Sequence, residues 1–270
     1  MAYSKILKQA YEITRDNKFL WIFGLFLSLI TVGLYVIGWL QENSKNGGYL
    51  FLLFTLSVIV SPILVIRIKT AIIIAVKAVV DKQETNAAKA FMTARFFYWR
   101  AIGVYLLVQM SILILLSVGV GPVMYLNHQG QNNSAIVLGV LAAVFLLPVV
   151  VTAVVVNILA PMFIVVYDQK VNEAINKTYP LISKHLGSIF AFAVLNFLVS
   201  SITLFFSQFV LKLGSGMPLL IHVLIGIVYV GIETFAVIFM QTAWVLLFLD
   251  LIRPQKLEEA EPVVAPEIVS

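Results

Sequence analysis

The chain has 270 residues, of which 61% are hydrophobic and 11% are charged. A soluble domain carries roughly a quarter charged residues to cover its surface, so this composition excludes an ordinary water-soluble protein. The absence of cysteine excludes disulfides, thiolate metal sites and cysteine nucleophiles. The formal net charge is +5, and the positions of the basic residues assign this excess to membrane topology rather than to nucleic-acid binding.

Six apolar segments have the length of membrane spans, which need ~18 or more apolar residues. The first follows a mostly polar stretch, and no small-residue cleavage site comes after it, so we expect a retained span rather than a signal peptide. The sequence therefore predicts an all-α fold, a polytopic transmembrane helical bundle. The predicted spans are 19–40, 49–66, 101–126, 135–167, 188–211 and 219–251.

The flanking segments complete the predicted organisation. Residues 1–17 are expected to form a cytoplasmic amphipathic helix, and residues 18–253 the membrane domain. The second span is expected to continue as a helix over 70–80, beyond Arg67 and Lys69. The tail, 254–270, is acidic and contains prolines, which predicts disorder.

The basic residues indicate the orientation. Of the 18 Lys and Arg residues, all but Lys45 and Lys212 fall on one side of the predicted spans. Cytoplasmic loops carry the excess of Lys and Arg, so both termini are expected to be cytoplasmic in a multi-pass protein of the cell membrane. Anionic lipid headgroups at that face are the expected partners of this basic surface.

A unit that occurs three times organises the chain. Each unit has an amphipathic segment, a span, a short outer loop and a long returning span that ends at an aspartate, namely Asp81, Asp168 or Asp250. Three tandem hairpins therefore describe the sequence better than six independent helices.

The amphipathic segments place their apolar residues at helical spacing. In the first segment the stripe comprises Tyr3, Ile6, Leu7, Ala10, Tyr11 and Thr14. In the third it comprises Val171, Ala174, Ile175, Thr178 and Ile182. Such a helix either lies in the membrane interface or packs on the cytoplasmic extensions of the spans, and the sequence favours neither alternative.

Two of the long returning spans contain proline at a position where the third contains an acid. Pro62 and Pro148 correspond to Glu233, and Pro161 adds a second proline to span four. Proline frees a backbone carbonyl and bends a helix, so these residues are candidate helix kinks around a small internal cavity.

Intramembrane polar side chains are the candidate functional residues. Glu233 is the acidic residue inside an apolar run, with Tyr229 one turn away; Gln109 and Asn196 are expected near its depth, and Asn157 nearer the cytoplasmic boundary. A charged carboxylate in hydrocarbon costs several kcal/mol. Glu233 is therefore expected either as a neutral residue that joins helices by hydrogen bonds, or as a proton- or cation-responsive site.

The connection between spans four and five, APMFIVVYDQKVNEAINKTYPLISKHLGSIF, resembles a bacterial and archaeal group of membrane-domain proteins. These are related to the membrane region of glycerophosphoryl diester phosphodiesterases. The resemblance implies a six-helix module that often lacks a catalytic partner, and we expect no phosphodiesterase domain in these residues. It is carried by Pro161, Asp168, Glu173, Ala174, Thr178, Lys184 and Gly187.

The sequence does not indicate an enzyme. The three histidines, His128, His185 and His222, are far apart, and no metal-binding, nucleophile or phosphate-binding motif occurs. We expect a non-enzymatic membrane scaffold or accessory module without a cofactor, which contacts lipid, a membrane-protein partner or a second copy of itself. The alternative is a small transporter or channel that uses Glu233.

Overall fold

A computed structural model describes residues 3–43, 47–214 and 219–260, and these ranges are helical with no strand. Without water in the bilayer core, a single segment satisfies its backbone hydrogen bonds only as a helix. The eight helices of the described ranges are α1 (Tyr3–Asp16), α2 (Phe19–Asn43), α3 (Gly47–Val80), α4 (Ala87–His128), α5 (Asn132–Tyr167), α6 (Val171–Lys184), α7 (Leu186–Gly214) and α8 (Leu219–Ala260).

Five stretches within the described residues are long and apolar enough to cross a membrane. They are Phe54–Val80, Ala87–His128, Asn132–Tyr167, Leu186–Phe206 and Gly226–Ile252, while α2 contributes a shorter apolar stretch, Phe19–Thr31. The predicted all-α membrane architecture is therefore confirmed, and the chain is a multi-pass membrane protein.

Two helix boundaries differ from the sequence prediction. The second amphipathic segment and span three form one helix, α4, because no glycine or proline interrupts residues 87–102. Helix α8 continues to Ala260, into the predicted disordered tail, where Leu, Glu and Ala favour helix. The remainder of that tail lies outside the described residues. Each proline-containing helix continues through its prolines.

The hydrophobic core lies where α3, α5 and α8 end and where α4 and α7 begin. Aromatic side chains of three helices meet there at edge-to-face angles. Phe163 of α5 and Phe248 of α8 have ring centroids 4.8 Å apart, and Phe192 of α7 lies 5.7 Å from Trp244 of α8. Such pairs add about 0.5–1.5 kcal/mol beyond their burial, so they fix α8 against both α5 and α7.

Helices α1 and α6 use one face to pack on this core. Helix α1 packs on α8, and α6 packs on α5. The buried side chains of α1 are Ile6, Ala10, Ile13 and Thr14, and those of α6 are Ala174, Thr178, Leu181 and Ile182. Much of each predicted apolar stripe is therefore covered by protein.

The C-terminal part of α4 and the N-terminal part of α5 expose large apolar side chains. Val118 is 70% exposed and Phe145 is 73% exposed. An apolar surface of this kind is unfavourable in water, and the hydrocarbon of a bilayer solvates it. The exposure pattern thus agrees with the membrane character of the helices.

An arginine fixes the turn between α5 and α6. The Arg100 guanidinium donates to the backbone carbonyls of Asp168 and Gln169 at 3.0 and 3.1 Å, and to the Asp168 carboxylate at 2.6 Å. Asp168 ends α5 in the left-handed conformation, with φ 55°. Since glycine, asparagine and aspartate are the residues that adopt this conformation most readily, Asp168 both forms the turn and anchors Arg100.

Helices α2 and α8 approach closely at a glycine. A Cβ atom on Gly24 would lie 2.8 Å from the backbone oxygen of Thr234 and 2.6 Å from the Ile238 side chain. One turn further along α2, the Thr234 hydroxyl donates to the Ser28 hydroxyl at 3.2 Å, and both residues are buried. The absence of a side chain at Gly24 therefore sets the distance between these two helices.

We expect Gly24→Ala to destabilise the protein, because the added methyl meets backbone that cannot move independently. Overpacking of this kind costs about 1–3 kcal/mol, and a lower thermal unfolding midpoint in detergent would reveal it. Gly33→Ala is the matched control on the same helix, where a Cβ meets nothing within 4 Å. Equal midpoints for the two variants would contradict the close packing at Gly24.

We also expect Arg100→Lys to lower stability by about 1–2 kcal/mol, because lysine lacks the planar fork that reaches all three oxygens. Chemical unfolding in mixed micelles would measure the change. Arg95→Lys is the control, since Arg95 lies over the Phe96 ring at 5.5 Å instead of anchoring a turn. A larger loss for Arg95→Lys would count against the proposed role of Arg100.

Candidate functional site

A cavity of about 370 Å³ lies between α2, α3, α7 and α8. Among the described residues that line it, Glu233 of α8 and Lys69 of α3 are the charged ones. Helix α7 contributes a row of polar side chains with the spacing of one helical face. This row comprises Asn196, Ser200 and Thr203.

Glu233 reaches the cavity from a largely buried position. The residue is 7% exposed, and its Oε2 atom is buried without a hydrogen-bond partner in the described part of the chain. Its side-chain hydrogen bond is with Tyr229, one turn earlier on the same helix. The Tyr229 ring stacks on Phe206 of α7, with centroids 6.2 Å apart. The carboxyl group is thus held by its own helix.

Lys69 supplies a charge of opposite sign. Its side chain is exposed, and it borders the open space of the cavity. Arg67, two residues earlier, instead lies over the Phe91 ring at 4.2 Å. None of the ion pairs found among the described residues joins Lys69 to Glu233.

A second cavity of about 270 Å³ adjoins the first, and Thr31, Val65, Lys69 and Gln241 line both. Its polar side chains include Asn157 of α5 and Tyr105 of α4. Most of its wall is apolar, formed by Ile30, Pro62, Ile66, Ile73, Ile158 and Pro161. Charged and apolar spaces therefore lie side by side within the bundle.

The structure brings together most of the candidate residues. Glu233, Asn196 and Tyr229 line the first cavity, and Asn157, Pro62 and Pro161 line the second. Two candidates lie elsewhere. Gln109 of α4 is half-buried and lines neither cavity, and the carbonyl of Pro148 accepts a hydrogen bond from Thr152 at 2.8 Å.

Lys69 is the cavity-lining residue that the sequence reasoning missed. Together with Arg67 it marks the predicted cytoplasmic end of span two, which suggested a solvated interfacial position. The signal that could have placed it between helices was the apolar helical continuation over 70–80. Such an extension needs packing partners on several sides, and Lys69, which directly precedes it, therefore borders the space between these helices.

The charged residues at the ends of α3 and α5 do not gather into a catalytic cluster among the described residues. Asp168 binds Arg100, and Asp81 lies 3.9 Å from Lys77 on its own helix. No group of three His, Asp or Glu residues with the geometry of a metal site occurs in the described ranges. The polar cavities are thus the better-defined candidate site.

The fold and its apolar helices define a multi-pass helical membrane protein with a cavity between its helices that Glu233 and Lys69 line. No family model, no curated protein and no solved structure matches this chain. The resemblance to phosphodiesterase-related membrane domains therefore stays a prediction, and the site is interpreted from its own residues.

If water fills the first cavity, a cysteine at Ser200 will react with a charged thiol reagent, because the reactive thiolate requires hydration. Since the chain has no cysteine of its own, a single substitution gives a signal without background. Ser200→Cys should be modified at least about tenfold faster than Ile202→Cys, whose parent side chain is 68% exposed but outside both cavities. Equal rates would contradict a hydrated cavity.

Proposed function

We propose that the protein is a small transporter or channel in which Glu233 is a proton- or cation-responsive intramembrane site. The observation that carries this proposal is the shared cavity of Glu233, Lys69 and Asn196 between four helices. Ionisable residues within membrane segments face water-filled cavities and mark substrate or ion pathways. The volume of about 370 Å³ also falls in the range of small-molecule sites, about 300–1,000 Å³.

The hydrogen bonding of Glu233 supports this function over a purely structural role. A carboxyl group that joins helices should bond across a helix interface. Instead, the side-chain partner is Tyr229 of the same helix, while Oε2 is buried without a partner in the described ranges. An unsatisfied buried polar atom costs about 1–3 kcal/mol, and a ligand or water in the cavity would offset that cost.

The topology is part of the proposal. Six spans with both termini in the cytoplasm, arranged as three tandem hairpins in the cell membrane, agree with the one-sided distribution of Lys and Arg. Amphipathic α1 and α6 would then lie at the cytoplasmic face, where their exposed basic residues meet anionic lipid. Their buried faces favour packing on the bundle over deep insertion into lipid.

The scaffold or accessory role, which the sequence favoured, is the second candidate function. Small residues that face outward would be expected at a contact with a partner or a second copy. Gly119 and Gly139 face Leu146 and Val123 across the α4–α5 interface, whereas an added Cβ at Gly121, Gly226 or Gly231 would have nothing within 4 Å. These open glycines leave room for an external contact, but none of them lines the cavity of Glu233 and Lys69.

Infrared titration of the protein in lipid would test the role of Glu233. We expect a carboxyl band that Glu233→Gln removes and that changes between about pH 3 and 9, which brackets ordinary carboxyl and histidine titration. The titratable side chains that share its cavity are Tyr229 and Lys69. The physical reason is that water in the cavity lets the Glu233 carboxyl group gain and lose its proton, so its infrared band changes with pH.

Glu173→Gln is the matched control, because Glu173 is exposed in the first turn of α6. Its removal should leave the Glu233 band and the ion flux of reconstituted vesicles unchanged. A protonated Glu233 band that stays constant across the range, with equal flux in wild type and Glu233→Gln, would show a structural residue and overturn the proposed function.

A further inference from the structure

The two ionisable side chains of the site that differ in sign are an acid, Glu233, and a base, Lys69. Glu233 and Lys69 line one cavity, yet no ion pair joins them among the described residues. A simple cation would be attracted by Glu233 but repelled by Lys69. A simple anion would be attracted by Lys69 but repelled by Glu233. A solute with one positive and one negative group satisfies both residues at once.

Hydrogen-bonding groups surround these charges. The α7 row of Asn196, Ser200 and Thr203 lines the first cavity, and Gln241 lines both cavities. Neither Asn196 nor Gln241 has a side-chain hydrogen bond to another described residue. Their amide groups can therefore donate to a carboxylate and accept from an ammonium group.

The second cavity adds an apolar space next to the charged one. Lys69 lies at the junction, and isoleucines and prolines form most of the wall beyond it. The volume of about 270 Å³ suits a compact apolar group. A ligand that uses both spaces therefore has a zwitterionic head and a small branched or straight hydrocarbon side chain.

We propose that the ligand of this site is an aliphatic α-amino acid, or a small zwitterion of the same chemistry. Its ammonium group pairs with Glu233, its carboxylate pairs with Lys69, and its side chain enters the second cavity. This inference rests on the transport function proposed above and names its substrate class. Each buried methylene strengthens binding about fourfold, so leucine should bind roughly 10- to 100-fold more tightly than alanine.

The experiment measures binding of radiolabelled leucine to the full chain in nanodiscs, with analogues that lack one charge as competitors. The competitor 3-methylbutylamine keeps the ammonium group and the side chain, and 4-methylpentanoate keeps the carboxylate and the side chain. We expect both to compete at least about tenfold less well than leucine, since one charge of the site stays unpaired.

Two variants assign the charges. Glu233→Gln should weaken leucine binding but leave the affinity for 4-methylpentanoate unchanged or improved. Lys69→Gln should also weaken leucine binding, but it should leave the affinity for 3-methylbutylamine unchanged or improved. Retained binding of one analogue shows that each variant is folded. Lys77→Gln is the matched control on α3, because Lys77 faces Asp81 and lines neither cavity, and it should bind leucine as the wild type does.

Equal competition by 3-methylbutylamine and leucine would overturn the zwitterion inference and indicate a cation site, which leaves the proposed function in place. Absence of leucine binding, with a Glu233 band that still titrates, would likewise overturn only the inferred ligand class. A band that does not titrate, together with no binding and no flux, would overturn both proposals.

Discussion

The close approach of α2 and α8 at Gly24 is the constraint on which the site depends. Because Gly24 has no side chain, α2 lies against the backbone of Thr234, and Ser28 reaches the Thr234 hydroxyl. Glu233 is the adjacent residue on α8, so this contact restrains the rotation of α8. The carboxyl group is thereby directed toward α3 and α7, where the cavity lies.

The second constraint is the cost of charge in a membrane. A carboxylate and an ammonium group inside a helical bundle each need a partner, water or a ligand. The aromatic core anchors α8 at one end, while the cavity adjoins the region where α3 and α7 face it. A rigid core beside a polar cavity is an arrangement that holds ionisable side chains in fixed positions.

Much of the helical architecture was predictable from the sequence, because hydrocarbon imposes one solution on a long apolar segment. The helix ends were less predictable. Residues 87–128 form one helix although the segment changes from amphipathic to apolar, since a change of solvent does not stop a helix without a breaker. Of the candidate site, Glu233, Tyr229 and Asn196 were found by their polarity within apolar runs, whereas Gln109 has the same signal and lies elsewhere.

The sequence by itself determined that the protein lies in a membrane, that it is helical and which polar side chains its spans contain. These follow from composition and hydropathy, which are properties of residues and their neighbours along the chain. The tertiary structure decided which polar residues meet. Lys69 and Glu233 belong to helices that are far apart along the chain. Their shared cavity depends on the rotation and spacing of α2, α3, α7 and α8. Packing across the bundle sets this rotation and spacing, and no local sequence pattern does.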